Sequence, residues 1–408
     1  MKTMSFIEGG VCAPMGFTAN AICCGIKKSR TKPDIAVIES EVPATAAAVF
    51  TKNLVQAEPV KLSRKHLENG VAQAIIVNAG NANACTGSQG YENAQRMAHS
   101  AAAHLGLKTE DIIVCSTGVI GQQIRIEAIE EGMQKLCEGL SSTGNVLARE
   151  AIMTTDTKYK EAALELTIGG KKVRIGTMAK GSGMIHINMG TMLGFITTDC
   201  SISSKMLHAA LRESIETTYN CVSVDGDTST NDTLCVLANG LAGNSIIKSK
   251  GSDYKAFVEA LNILNTDMAR KIAGDGEGAE HLLECTVQGA SSDSVARKLA
   301  KSVISSSLVK AAFFGKDANM GRILCAMGYS GELFSPQNTS IFFNSGAGEI
   351  EVFHKGAPLD FNEPKAKEIL GESEVKIRIE LGDGKGSGTA WGCDLTYDYV
   401  KINGDYRT

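Results

Sequence analysis

The chain has 408 residues, 43% of them hydrophobic and 21% charged, a globular balance in a protein too long for one small core. A formal net charge of -4 argues against nucleic acid or an anionic membrane as the main partner, because both recruit basic surfaces. No run approaches the ~20 apolar residues of a membrane helix, and Glu8, Gly9, Gly10 and Pro14 break the start of the chain, so the expected setting is cytoplasmic.

In chain order, Ala74-Ile75-Ile76-Val77 reads as a buried strand and the Asn- and Gly-rich stretch from Asn78 to Gly90 as a loop. A helix follows, with Ala94, Met97, Ala101 and Leu105 on one face. Ile112-Ile113-Val114-Cys115 is a second short strand, and Ser116-Thr117-Gly118 turns out of it. Leu164, Leu166 and Ile168 alternate with polar residues, Gly169-Gly170 turns, and Val173 and Ile175 return as a hairpin. Two helices carry clear apolar stripes. One runs through Met206, Leu207, Ala210, Leu211 and Ile215 after Ser203 and Ser204; the other starts at Ser252-Asp253 and stops at Gly274. Near the end, Val375, Ile377 and Ile379 form a strand, Gly382 to Gly388 turns, and the run to Val400 and Ile402 reads as strand-like. Strands and helices interleave, so the fold class is mixed α/β.

Several familiar patterns are incomplete. The twelve cysteines contain no CxxC, and those in apolar runs, such as Cys115 and Cys235, behave as small hydrophobes in a reducing compartment. The seven histidines show no HxH or HExxH, so no metal is expected. Gly274 to Gly278 and Gly382 to Gly388 complete neither phosphate-loop pattern. Asp225 to Asn231 lacks the Gly and Glu of a calcium loop, and no GxSxG is present.

The chemistry concentrates in residues 180–199, KGSGMIHINMGTMLGFITTD. A lone Thr among apolar residues is usually core. Here Lys180 precedes a glycine-rich turn, and Gly190 leaves the carbonyl before Thr191 open to close approach. A Thr hydroxyl needs a base, and its own α-amine, with a pKa of about 7.7–8.0, can serve once it is an N-terminus. Such an enzyme must first cut its own chain.

This segment resembles the signature of the ornithine acetyltransferase (glutamate N-acetyltransferase) family of arginine biosynthesis, and the likeness runs over essentially the whole chain. It includes Gly10-Val11-Cys12-Ala13-Pro14, Asn78-Ala79-Gly80-Asn81-Ala82-Asn83 and Ser116-Thr117-Gly118-Val119-Ile120-Gly121. It continues through Ile152-Met153-Thr154-Thr155-Asp156-Thr157, the stretch from Asp225 to Asp232, Gly274-Asp275-Gly276-Glu277-Gly278 and the terminal Val400 to Thr408.

The resemblance implies stacked β-sheets covered by helices, and a cut between Gly190 and Thr191 into an α chain (1–190) and a β chain (191–408). It implies Thr191 as the nucleophile that takes acetyl from N-acetylornithine and passes it to glutamate, with Thr117 and Gly118 as the oxyanion hole. Thr154, Lys180, Glu277, Asn403 and Thr408 would contact substrate together with Thr191. Lys180 suits a carboxylate and Glu277 an ammonium. No cofactor is expected, although acetyl-CoA is a candidate second donor, and two α and two β chains would assemble as a heterotetramer. Family members often carry Ala at 190 and Pro at 187; Gly190 of this chain is still small enough to keep the cutting chemistry, while Ile187 is expected to loosen the strain that drives it. Two rivals stay open: a self-cleaving aminopeptidase or amidase that uses water as acceptor, and a binding protein without turnover.

Overall fold

The computed structural model describes residues 4–187 and 192–405. Gly190, Thr191 and Thr408 therefore lie outside the described residues. The strands of the first half and a little beyond are β1 (Ser5–Ile7), β2 (Phe17–Ile22), β3 (Ile35–Phe50), β4 (Val71–Asn81), β5 (Ile112–Val119), β6 (Lys160–Ile168), β7 (Lys171–Lys180), β8 (Ile185–His186), β9 (Leu193–Thr198), β10 (Ser223–Thr228) and β11 (Thr233–Ala238). Among the described residues β8 and β10 form a ribbon of their own. The other nine make one sheet in the order β1-β6-β7-β9-β11-β3-β4-β5, with β2 added on β3.

The remaining strands, β12 (Leu282–Ala290), β13 (Ser340–Ser345), β14 (Gly348–His354), β15 (Ala357–Pro358), β16 (Glu374–Glu380) and β17 (Gly386–Cys393), form a second sheet ordered β15-β14-β13-β16-β12-β17.

The central strands of the large sheet are apolar on both faces because each face meets a different core. Leu234 and Val236 of β11 and Ile196 of β9 join one cluster, while their neighbours Cys235, Leu237 and Phe195 join another, the two-residue period of a strand. The first cluster also holds Leu211 and Leu261, from helices Ser204–Ile215 and Ser252–Ala273, and Cys285 and Ile377 of the second sheet. Helices thus join the two sheets through a shared core. On the far side, helices Gly87–Leu105 and Ile126–Glu138 cover β4 and β5 through Met97, Met133, Ile76 and Val114.

Three expectations change. The strand expected at residues 74–77 runs on to Asn81, and the next helix starts at Gly87, so the loop is much shorter than 78–90. Pairing with β5 carries Asn78, Ala79 and Gly80 into the sheet despite their poor strand propensity. Residues 116–118 are likewise the end of β5 rather than a turn. Val400 and Ile402 belong to a helix, Tyr397–Asp405, whose entry Thr396 caps by accepting from the Tyr399 N–H at 3.4 Å.

Candidate active site

A cleft of about 200 Å³ opens where the ends of β5, β7 and β9 meet the loops before β11 and β12 and the helix Tyr397–Asp405. Its lining includes Thr117, Gly118, Thr154, Lys180, Glu277 and Asn403. Met192, the sequence neighbour of Thr191, also lines it. The next residue, Leu193, pairs with Lys180 on one side and Thr233 on the other.

One wall is backbone. Parallel β4 and β5 set Ala79 opposite Thr117 and Gly80 opposite Gly118, and the register then breaks at Asn81. Such a break aims peptide groups out of the ladder, which suits donors for a developing oxyanion. Gly118 has φ +129°, and a Cβ there would sit 2.3 Å from the Gly80 carbonyl carbon, so only glycine fits. The Asn231 amide donates to Ala82 O at 2.6 Å and Ser116 O at 2.8 Å, tying the strand ends to the loop before β11.

The opposite wall is ionic. Lys180, 8% exposed at the end of β7, has its ammonium 4.0 Å from Asp156. Asp156 accepts from the Gly181 N–H at 2.7 Å and the Thr154 N–H at 3.1 Å. The buried Lys160 ammonium donates to Asp156 at 2.7 Å and Asp275 at 2.5 Å. Asp275 also accepts from the Thr157 N–H and hydroxyl. Burial pushes the Asp156 carboxyl up, but Lys180, Lys160 and the Gly181 N–H outweigh it and hold the group at about 2.

Glu277 hangs from the same frame. Its N–H donates to Ser182 O at 3.1 Å, and the Ser182 hydroxyl donates to Asp275 O at 2.6 Å. Its carboxylate lies over Gly183, where a Cβ would come within 2.3 Å of it. Asn403 donates to Glu277 Oε2 at 2.7 Å.

Residues 18–408 match the ArgJ family. The chain belongs to the ArgJ family. It is 50% identical over 406 residues to the arginine biosynthesis bifunctional protein ArgJ of Symbiobacterium thermophilum, covering 99% of this chain and 100% of that one. It is also 50% identical over 392 residues to ArgJ 1 of Clostridium acetobutylicum, covering 96% of each. Among solved structures, an ArgJ chain from Bacillus halodurans is 45% identical with a TM-score of 0.50; it is covered whole by 53% of this chain.

The cleft is acidic. Among the described residues Asp225, Asp227, Asp232 and Glu277 line it, against the one ammonium of Lys180. Asp225 is spent on the backbone, accepting from Met184 N–H at 2.6 Å and Ile185 N–H at 2.8 Å, and burial raises its carboxyl above the ordinary range. Asp232 is 1% exposed. Burial raises it well above the usual value, and its Oδ2 has no partner among the described residues. Burial, and then the carboxylates of Asp225, Glu277 and Asp227, raise the Tyr399 hydroxyl and keep it protonated.

Glu280, His281 and Asp394 each bring a ligand-type atom within 4.8 Å of the others, the one grouping of metal-ligand type found among the described residues. Asp394 is already satisfied by the N–H groups of Glu280 and His281 and by the His281 ring, so the group works as a brace behind the Glu277 loop.

The structure thus brings together Thr117, Gly118, Thr154, Lys180, Glu277 and Asn403. Asp156, Lys160, Asp275, Asp232 and Gly183 were not singled out from the sequence. Four of them lie inside matched stretches, Asp156 in 152–157, Gly183 in 180–199, Asp232 in 225–232 and Asp275 in 274–278, and that was the available signal. Lys160 gave none; only the fold shows it between two buried carboxylates. Ile187 is 1% exposed and donates its N–H to Val222 O at 3.1 Å, a bond proline cannot make.

Proposed function

We propose that this chain transfers acetyl from N-acetylornithine to glutamate in arginine biosynthesis, through an acetyl ester on Thr191 formed after the chain cuts itself between Gly190 and Thr191. The observation that carries the reading is the single cleft that joins a glycine-built backbone wall, one ammonium and an acidic floor beside Met192. The naming of the relatives as arginine biosynthesis bifunctional proteins supports the pathway. The coverage of a whole solved ArgJ chain by 53% of this one supports the cut, since residues 191–408 make up that share.

The steps follow from ordinary acyl chemistry. The Thr191 hydroxyl attacks the Gly190 carbonyl, the acyl group shifts from nitrogen to oxygen, and water hydrolyses the ester. This leaves a carboxylate on Gly190 and a free amine on Thr191. That amine then takes the hydroxyl proton as Oγ attacks the acetyl carbon of N-acetylornithine. Thr117 and Gly118 hold the oxyanion, Lys180 and Glu277 receive the charged ends of the amino acid, and the proton leaves with ornithine. The α-amine of glutamate then attacks the ester and departs as N-acetylglutamate. Thr154, Asn403 and Thr408 are further substrate contacts.

Intact-mass analysis and kinetics test this directly. Two chains, the second beginning at Thr191, and transfer abolished in Thr191→Ala are expected; a fully active uncut chain would overturn the proposal. Acetate release independent of glutamate would favour the aminopeptidase or amidase reading instead. Acetyl-CoA, offered with glutamate alone, tests it as a second donor, and no cofactor is required. We place the enzyme in the cytoplasm: its twelve cysteines are free thiols, and among the described residues no helix is long and apolar enough to cross a membrane. Light scattering tests the two-α, two-β assembly, which a mass of one chain would overturn.

A further inference from the structure

The arm Met184–Ile187 is the last described stretch before residues 188–191, and it is held unusually firmly. Asp225 takes the N–H groups of Met184 and Ile185, the Thr228 hydroxyl donates to His186 O at 3.0 Å, and the Ile187 N–H goes to Val222 O. The last carbonyl, Ile187 O, is taken by the ammonium of Lys301 on the helix Asp293–Ser305, which also donates to Asn220 O at 2.9 Å.

A part-buried ammonium is an expensive donor for two carbonyls. Burial lowers Lys301 to about 8, and no ion pair within bonding range supports it among the described residues. A neutral donor would satisfy the same oxygens at lower cost, so the charge calls for a function. The Gly190–Thr191 bond to be cut begins three positions beyond Ile187, within about 10 Å of chain, so the hold on Ile187 limits where that bond can go.

We propose that Lys301 is a positioning residue for self-cutting: it fixes the arm that leads to the scissile bond. The assignment rests on the self-cutting reading above, but separates maturation from acetyl transfer. Lys301 does not line the cleft, so molecules already cut should not need it.

The test follows the appearance of the two chains by intact mass in freshly made parent, Lys301→Met and Lys301→Arg proteins, then measures transfer per cut molecule. Lys301→Met should lengthen the half-time of cutting by about tenfold or more, the scale of one lost charged hydrogen bond. Lys301→Arg should cut nearly as fast as the parent, and cut Lys301→Met molecules should transfer acetyl within about twofold of the parent. If Lys301→Met does not fold, Lys301→Gln, which keeps one neutral donor, carries the same test. Cutting of Lys301→Met at the parent rate, or loss of transfer in its cut molecules, overturns this assignment alone. An active parent that stays uncut overturns the underlying reading with it.

Discussion

The two walls of the cleft are built from opposite materials. The Gly80–Gly118 wall is backbone packed on backbone, where one added methyl has no room. The Lys180–Glu277 wall is side-chain charge hung on a buried Asp156–Lys160–Asp275 frame, where a change of charge leaves the shape intact. The first should fail abruptly and the second by degrees.

Gly118→Ala gives the sharpest expected break. With φ +129° and backbone 2.3 Å away, it should lower kcat/KM by about 10²-fold or more, the scale of losing an oxyanion donor. Gly121→Ala is its control, because Gly121 also has positive φ, +78°, but open space around it. It should cost only about 1 kcal/mol of stability and leave turnover intact. Equal effects from the two would erase the distinction between a crowded glycine and a merely left-handed one.

On the ionic wall, Lys160→Met leaves two buried carboxylates facing each other without their cation. A stability loss of roughly 3–5 kcal/mol is expected in denaturant unfolding. Glu277→Gln keeps the shape and the Asn403 contact, so the chain should mature normally while KM for N-acetylornithine rises about tenfold. A fall in kcat with unchanged KM would move Glu277 out of the binding role.

The same frame should also show acid sensitivity. Asp156 is held at about 2, below its ordinary 3.8, so its contribution is complete above about pH 4 and lost as pH falls through 2. Unfolding free energies measured between pH 5 and pH 2 should show the parent losing on the order of 2 kcal/mol more than Asp156→Asn. An identical acid slope in both would show that the frame is not electrostatically coupled.

Much of the site was legible because its chemistry lies in short stretches: Thr117-Gly118 at a strand end, Lys180 before a glycine turn, and Glu277 in a glycine-rich loop. The helix Ser252–Ala273 was legible from its apolar stripe and its glycine stop. What stayed hidden depended on partners distant in sequence. Asn78 to Gly80 look like loop residues until β5 pairs with them, and Val400 and Ile402 look strand-like until Thr396 caps a helix. Lys160 is one more lysine until Asp156 and Asp275, the latter 115 residues away, close on it. Local periodicity reads what a segment buries, but only the fold decides which charges meet.

The order of strands in the large sheet has a last consequence. β9 and β11, which follow residue 191, are slotted between β7 and β3, which precede it, and both seams are six-residue antiparallel ladders. Neither piece alone could complete that sheet: the first would lack its middle, and the second would hold two strands with no flanks. For a chain cut as proposed above, synthesis as one polypeptide would be the assembly device. The proposed scission would then have to come after the chain has folded, and two pieces made apart would lack the template that brings them into register.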